Sequence, residues 1–343
     1  MGEQQQVGAT PVAVVKGNVP ENPGASASAE QRPTANLRVV QPEAPMRDVM
    51  EGAARWEVKV HDHGFLALVD VMPRLVPEGQ TADCAIVQAA RVSYGAGTKK
   101  VNEDRGLIRY LLRHRHTTPF EMVEFKFHVA MPIFVARQWI RHRTANVNEY
   151  SGRYSIMPDT FYKPTVDAVR KQSASNRQGG SDLLGAGTVA AADEIKTAEA
   201  FIEFLEKAEG LYEPYRELLE KGVSRELARI ALPVSLYTQW YWKCDLHNLL
   251  RFLSLRLDAH AQLEIRDYAQ AMLQLVTPIV PTTLEAWMDY DFGGVSLSRL
   301  EVEALQRLSR GEAGELDSEN KRERDEWIAK LEKLGFKIGS RPA

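Results

Sequence analysis

RQWIRHRTANVNEYSGRY, residues 137–154, is dense in arginine, asparagine and aromatic side chains, and follows closely on MVEFKFHVAM (122–131). MVEFKFHVAM alternates apolar and polar residues, as a half-buried strand does, while IFVARQWIRHR (133–143) has helical spacing. Gly152 and Pro158 oppose continuation of that helix, so TANVNEYSGRYS (144–155) reads as a polar loop at its end. A strand feeding a helix and then a charged loop marks a mixed fold with chemistry at the junction.

Upstream, FLALVDVM (65–72) reads as another strand and DCAIVQAARVSYG (83–95) as a helix capped by Asp83 and stopped by Gly95. NEDRGLIRYLLRHRH (102–116) reads as a second helix, and Thr118-Pro119 turns the chain into the 122–131 strand. Downstream, the Gly/Ser-rich stretch 168–192 reads as a mobile insertion, and helical patterns dominate from 193 to about 275. The expected organisation is a disordered extension over 1–54, one folded domain over 55–293, and a charged helical extension over 294–343 that includes ENKRERDEWIAKLEKLG. The fold class is α+β, helices mixed with antiparallel sheet.

The 343 residues carry 43 Lys plus Arg against 46 Asp plus Glu, a net charge of −3, so there is no global electrostatic case for nucleic acid. Two cysteines, Cys84 and Cys244, cannot form a disulfide framework, and no apolar run approaches the ~20 residues of a spanning helix. MGEQQQVGATPVAVV lacks the basic and long apolar segments of a secretory signal, and Gln6 departs from the myristoylation pattern. These features predict a cytoplasmic protein with neither membrane nor nucleic acid as partner.

Cationic function must therefore be local. Arg137 and Arg141, four apart, would share one helical face, with Arg143 and Ser151 close behind, an arrangement able to wrap an anion. The alternative is cations favouring a helix C-terminus, worth about 0.3–1 kcal/mol each. DLHNLLRFLSLRLDAHAQLEIRDYA (245–269) places His247, Arg251, Arg256, His260 and Arg266 among leucines. A guanidinium buried there needs a carboxylate, a carbonyl or a ligand phosphate, and Asp258 and Glu264 are the internal candidates. Four histidines lie between 114 and 142 without a metal-ligand spacing, so no metal site is expected.

Arg141-His142-Arg143, seven residues, then Ser151 resembles the signature of the flavin-dependent thymidylate synthases. The likeness continues through HTTPFE (116–121), PIFVARQWIRHR (132–143), NEYSGRYS (148–155), SRELARIALP (224–233) and LRLDAHAQLEIRDYA (255–269), covering about residues 62–293. The resemblance implies a homotetramer with active sites between subunits that bind FAD and dUMP together. The implied reaction methylates dUMP at C5 to give dTMP, with the one-carbon unit from methylenetetrahydrofolate and reducing equivalents from NADPH through FAD.

By that resemblance His116, Thr118, Arg141, His142, Arg143, Glu149 and His260 are placed near FAD. Gln138, Arg141, Glu149, Ser151, Gly152, Arg153 and Arg229 are placed around the nucleotide, and Arg256 is the residue that favours ionisation at uracil N3. Asp245, His247 and Arg251 map to a further FAD-contacting segment, although family members often carry Asn, Arg and Asn there. Met122 stands where members often have His. Ser151 has no adjacent His-Asp arrangement and is expected to bind rather than attack. Two other classes remain open: a nucleic-acid-binding protein stacking bases on Trp139, Tyr150 or Tyr154, and an inactive flavin or nucleotide sensor retaining the fold.

Overall fold

The computed structural model describes residues 46–47, 54–77, 79–92, 104–172, 180–183 and 192–336. The strands are β1 (Met46–Arg47), β2 (Ala54–Val60), β3 (Gly64–Met72), β4 (Glu124–Pro132), β5 (Asn146–Glu149), β6 (Arg170–Gln172), β7 (Gly180–Leu183) and β8 (Tyr237–Asp245). The helices are α1 (Asp83–Val92), α2 (Asp104–Arg113), α3 (Ile133–Trp139), α4 (Ala192–Glu209), α5 (Tyr212–Glu220), α6 (Arg225–Ala228), α7 (Leu246–Arg256), α8 (Leu263–Val276), α9 (Pro281–Trp287), α10 (Arg299–Ser309) and α11 (Lys321–Lys333). Two compact units result, Met1–Ala286 and Trp287–Ala343.

A six-stranded antiparallel sheet, in the order β1-β2-β3-β4-β8-β5, forms the frame of the first unit. Alternation along β4 turns Phe125, Phe127, Val129 and Met131 into the core. The opposite face of β4 and β8 carries Glu124, Lys126 and His128 beside Gln239, Tyr241 and Lys243, with His128 stacked on Tyr241 at 4.7 Å. Helices α3, α7 and α8 cover the inner face. Trp139 of α3, 0% exposed, lies 5.7 Å from Trp240 and 5.5 Å from Trp242 of β8, 4.8 Å from Phe252 of α7 and 6.1 Å from Tyr268 of α8, measured between ring centroids. Tyr268 also donates to the Ala130 carbonyl at 2.7 Å, and a Cβ at Gly64 would collide with its hydroxyl.

The expected strand at 65–72 and helix at 83–95 form as β3 and α1, the latter described through Val92. Three other expectations are corrected. The run from 193 to 275 is not helical throughout: YTQWYWKCD forms β8, whose inward Trp240, Trp242 and Cys244 have a period of two hidden between helical neighbours. The loop at 144–155 contains β5, a polar strand held to β8 by backbone pairing, which a hydrophobic pattern cannot reveal. Finally α3 ends at Trp139, so Arg141 sits in the following turn, its N–H bonded to the Gln138 carbonyl, rather than on a helical face with Arg137. Of the expected insertion, β6 and β7 are described, while 173–179 and 184–191 lie outside the described residues, as does most of 1–54.

The second unit has its own core, in which Ala304 of α10 and Trp327 and Leu331 of α11 pack with Leu316. Ser298 and Glu301 form a reciprocal capping box at α10, and the buried Glu301 carboxylate also accepts from Lys330 Nζ at 2.8 and 2.9 Å.

Asp83 ties the two ends of the first unit's helical region together. Its buried carboxylate accepts from Thr81 Oγ1 at 3.1 Å, the Thr282 N–H at 2.9 Å, the Thr283 N–H at 3.1 Å and Thr283 Oγ1 at 2.5 Å. Asp83→Ala strands these donors and should cost about 2–4 kcal/mol, with Asp83→Asn costing less. A urea-unfolding midpoint unchanged in Asp83→Ala would refute this role.

Candidate active site

Burial of Trp139 dictates where its neighbours go. With the indole fixed in the core, Gln138 and His142 stay half-buried at the rim while Arg137, Arg141 and Arg143 are exposed. Gln138 Nε2 donates to Gln262 Oε1, at the start of α8. Neither Arg141 nor Arg143 has a carboxylate partner among the described residues.

His142 accepts a hydrogen bond at Nε2 from Arg256 Nε at 3.0 Å, and its ring meets Phe252 edge-to-face at 4.9 Å. Burial, then the charges of Arg256 and Arg251, lower its pKa to about 4, so the imidazole is neutral near pH 7. Arg256 ends α7 half-buried, and burial lowers its own pKa from the usual guanidinium value. The two acids that could have satisfied it are engaged elsewhere. Asp258 accepts from the N–H and Nδ1 of His260, both at 2.8 Å, and Glu264 accepts from the Tyr162 hydroxyl at 3.0 Å.

The segment before α7 has a structural task. Asp245 caps the helix, accepting from the Asn248 N–H at 2.9 Å and Nδ2 at 2.8 Å. His247 is half-buried, and exposed Arg251 has no carboxylate partner among the described residues. Leu246 donates to the Val123 carbonyl at 2.8 Å, joining α7 to the short helix Thr118–Met122. His116 and Thr118 are exposed at that turn, with His116 stacked on Tyr110 at 6.0 Å.

A second group forms around 149–153. Glu149 accepts from Thr238 Oγ1 of β8 at 2.9 Å, and the Tyr150 N–H bonds to the Gln239 carbonyl at 2.8 Å. Ser151 then closes a turn, its carbonyl accepting from Tyr154 and Ser155 and its Oγ from the Arg153 N–H at 3.3 Å. Gly152 is buried against Arg229 and Met157: a Cβ there would lie 3.0 Å from Arg229 Cδ and 2.7 Å from Met157 Sδ. Arg153 Nε donates to Glu226 at 3.1 Å, beside an open cavity of about 560 Å³ that Arg216 and Arg225 also line.

The site residues thus fall into two groups, His142–Arg256 with the exposed arginines near them, and Ser151–Arg153 with Arg229. Among the described residues no hydrogen bond joins the two. His260, 78% exposed at its side chain, is bonded to Asp258 and, among the described residues, hydrogen-bonds to neither group. Sequence reading missed Thr238, Glu226 and Gln262 as supports; only the outward or inward phase of β8 could have singled out Thr238.

Trp139, 0% exposed, is unavailable for base stacking. Burial pushes the Cys244 thiol well above its usual range and raises that of Cys84 too, which disfavours a thiolate nucleophile at either. No described helix is long and apolar enough to cross a membrane, and the described residues contain no metal-holding cluster of three or more His, Cys, Asp or Glu.

Residues 74–282 match the protein family described as thymidylate synthase complementing protein. A flavin-dependent thymidylate synthase of Dictyostelium discoideum is 62% identical over 298 residues, 87% of this chain and 94% of that protein. One from Gluconobacter oxydans is 48% identical over 314 residues, 89% and 98% of the respective chains. Among solved structures, the UMP/dUMP methylase PolB of Streptomyces cacaoi, bound with 5-Br UMP, superposes with a TM-score of 0.55 at 34% identity, covering 68% of this chain and 97% of that one.

Gly152 offers a direct probe of the second group, because any added side chain must displace Arg229 or Met157. Gly152→Ala should weaken binding of a nucleotide monophosphate by about tenfold or more while leaving the far-ultraviolet circular dichroism unchanged. Isothermal titration with dUMP, showing parental affinity, would refute the link between Gly152 and the Arg229 position.

Proposed function

The chain belongs to the flavin-dependent thymidylate synthase family, and we propose that it makes dTMP from dUMP in the de novo supply of thymidine nucleotides. The reaction is dUMP + methylenetetrahydrofolate + NADPH + H⁺ → dTMP + tetrahydrofolate + NADP⁺. Its balance requires the transferred methylene group to gain two electrons as it becomes a methyl group.

The observation that carries this reading is a set of cations without carboxylate partners among the described residues. Arg141, Arg143 and Arg251 are exposed, while Arg229 and Arg256 are half-buried. A half-buried guanidinium without an acid is stabilised by an anionic ligand, and dUMP, the FAD pyrophosphate and the folate glutamate are all anions. This donor chemistry fits FAD, with Arg141, His142, Arg143, Glu149, His116, Thr118, His247, Arg251 and His260 as its binding residues. Asp245 contributes through the cap that orients α7. Bound FAD supplies a two-electron carrier between NADPH and the one-carbon unit.

The protein's own groups bind and polarise the nucleotide. Arg153 and Arg229 receive the phosphate, Ser151 donates its hydroxyl, and Gln138 and Arg141 hold the base and sugar side, with Glu149 setting the path of the loop. Arg256 faces the uracil. Its charge stabilises the anion formed when N3 loses its proton, and delocalisation of that negative charge raises electron density at C5, the carbon that bonds to the methylene group.

The two groups come together between subunits of a homotetramer, the Glu149–Arg153 loop of one chain reaching a nucleotide held largely by another. Leu227, Ile230 and Val234, which flank Arg229, are 62%, 74% and 59% exposed, an apolar surface suited to burial by a partner. The two free thiols, Cys84 and Cys244, fit a reducing cytoplasm.

Arg256→Ala should lower dTMP formation by about 10²–10³-fold with flavin retention unchanged, as read by anaerobic turnover and by the visible spectrum after desalting. Parental turnover in this variant would sink the role of Arg256, and absence of dTMP formation by flavin-loaded parent protein would sink the function itself.

A further inference from the structure

We infer that His142 is a positioning residue for Arg256: its Nε2 occupies the guanidinium Nε–H and so dedicates the two Nη groups to the N3–oxygen edge of the uracil. The inference rests on the thymidylate synthase reading of the site.

The contact is held from both sides. His142 lies in the turn after α3, its N–H bonded to the Trp139 carbonyl at 2.9 Å, so the buried indole anchors its backbone. Phe252, itself 0% exposed, meets the imidazole edge-to-face at 69° and restricts the ring plane. Arg256 projects from the last turn of α7, one turn beyond Phe252, and the Leu257 N–H closes that turn onto the Leu253 carbonyl at 2.9 Å. Arg256 Nε and His142 Nε2 are 3.0 Å apart, and Arg256 has no other hydrogen-bond partner among the described residues. A guanidinium presents its donors in a rigid fork, so engaging Nε leaves the paired Nη groups as the free end.

The identity of the partner matters as much as its position. A carboxylate would orient Arg256 equally well but would cancel the charge that the N3 anion needs. A neutral imidazole orients the fork and leaves the positive charge intact. Arg251 and Arg256 of α7 are the charged groups acting on His142, and with burial they hold it neutral, so it remains an acceptor across the physiological range. Its Nε2 lone pair is committed to Arg256, which places the proton on Nδ1.

The test reads N3 ionisation directly. Flavin-loaded protein is saturated with 5-fluoro-dUMP, and the fluorine resonance at C5 is followed against pH to give the N3 pKa of the bound nucleotide. His142→Phe removes the acceptor and should raise that pKa by about one unit, a tenfold loss of the anion below it. His142→Asp adds the charge-cancelling partner and should raise it at least as far, while His142→Asn, which keeps an acceptor, stays nearest the parent. Flavin retention is recorded for each variant by visible absorbance.

A double-mutant cycle separates positioning from mere support of the fold. Arg256→Lys has no Nε–H, so adding His142→Phe to it should leave the N3 pKa unmoved. An N3 pKa common to the parent, His142→Phe and His142→Asp overturns the inference, as does an undiminished His142→Phe effect in the Arg256→Lys background. Failure of the parent to bind 5-fluoro-dUMP overturns the thymidylate synthase reading instead, and a bound N3 pKa that is lowered in the parent but insensitive to His142 overturns the inference alone.

Discussion

Burial of one indole sets the geometry of the first unit. Trp139 closes the short helix α3 and lies within about 6 Å, ring to ring, of aromatic side chains from β8, α7 and α8. Each of these elements reaches the site through that cluster. The turn after α3 carries Arg141, His142 and Arg143 outward; α7 ends at Arg256; the residue before α8, Gln262, receives Gln138. The indole N–H groups of Trp139, Trp240 and Trp242 have no hydrogen-bond partner in the cluster, a polar cost accepted beside large apolar burial.

Around this apolar centre the electrostatics are asymmetric. Acids near the site are already committed: Asp258 to His260, Glu264 to Tyr162, Glu149 to Thr238, and Asp245 to the start of α7. The arginines near His142 and Gly152 are left without such partners, apart from the exposed pair Arg153–Glu226. A surface with near-zero net charge therefore acquires a local excess of positive charge where the carboxylates have been assigned structural work. Such a region favours phosphorylated ligands without making the whole protein a polyelectrolyte.

Much of this was legible in the sequence, for identifiable reasons. β3 and β4 show period-two alternation; Asp83 reads as a cap but is the first residue of α1, and its carboxylate bonds Thr81 and the distant Thr282 and Thr283 instead of the helix's own N–H groups. β8 was hidden because YTQWYWKCD sits between helices and its lysine, tyrosine and glutamine fall on the outward face. β5 carries only Val147 as an aliphatic residue, so its strand character comes from pairing with β8. At the site, the rule that a buried guanidinium requires a partner applies to Arg256, which is half-buried and bonded to His142. Its partner is 114 residues away in sequence and is a histidine, which no local charge pattern could have identified. Asp258 and Glu264, the nearby acids, were the natural local choices and are occupied otherwise.

The antiparallel pairing of β4 with β8 joins Glu124 to Asp245 and Pro132 to Tyr237, with β5, β6, β7 and the helices α3 to α6 between them in the chain. A ribosome making this protein must therefore extrude more than a hundred residues after β4 begins before that strand gains its second neighbour. Until then one edge of an aromatic-rich strand has unpaired N–H and C=O groups, the kind of edge that recruits other strands. The Asp83 clamp closes later still, on Thr282 and Thr283. Assembly of the site is thus a late event in the life of each new chain, and the nascent protein is most open to misassociation while the core around Trp139 is half built.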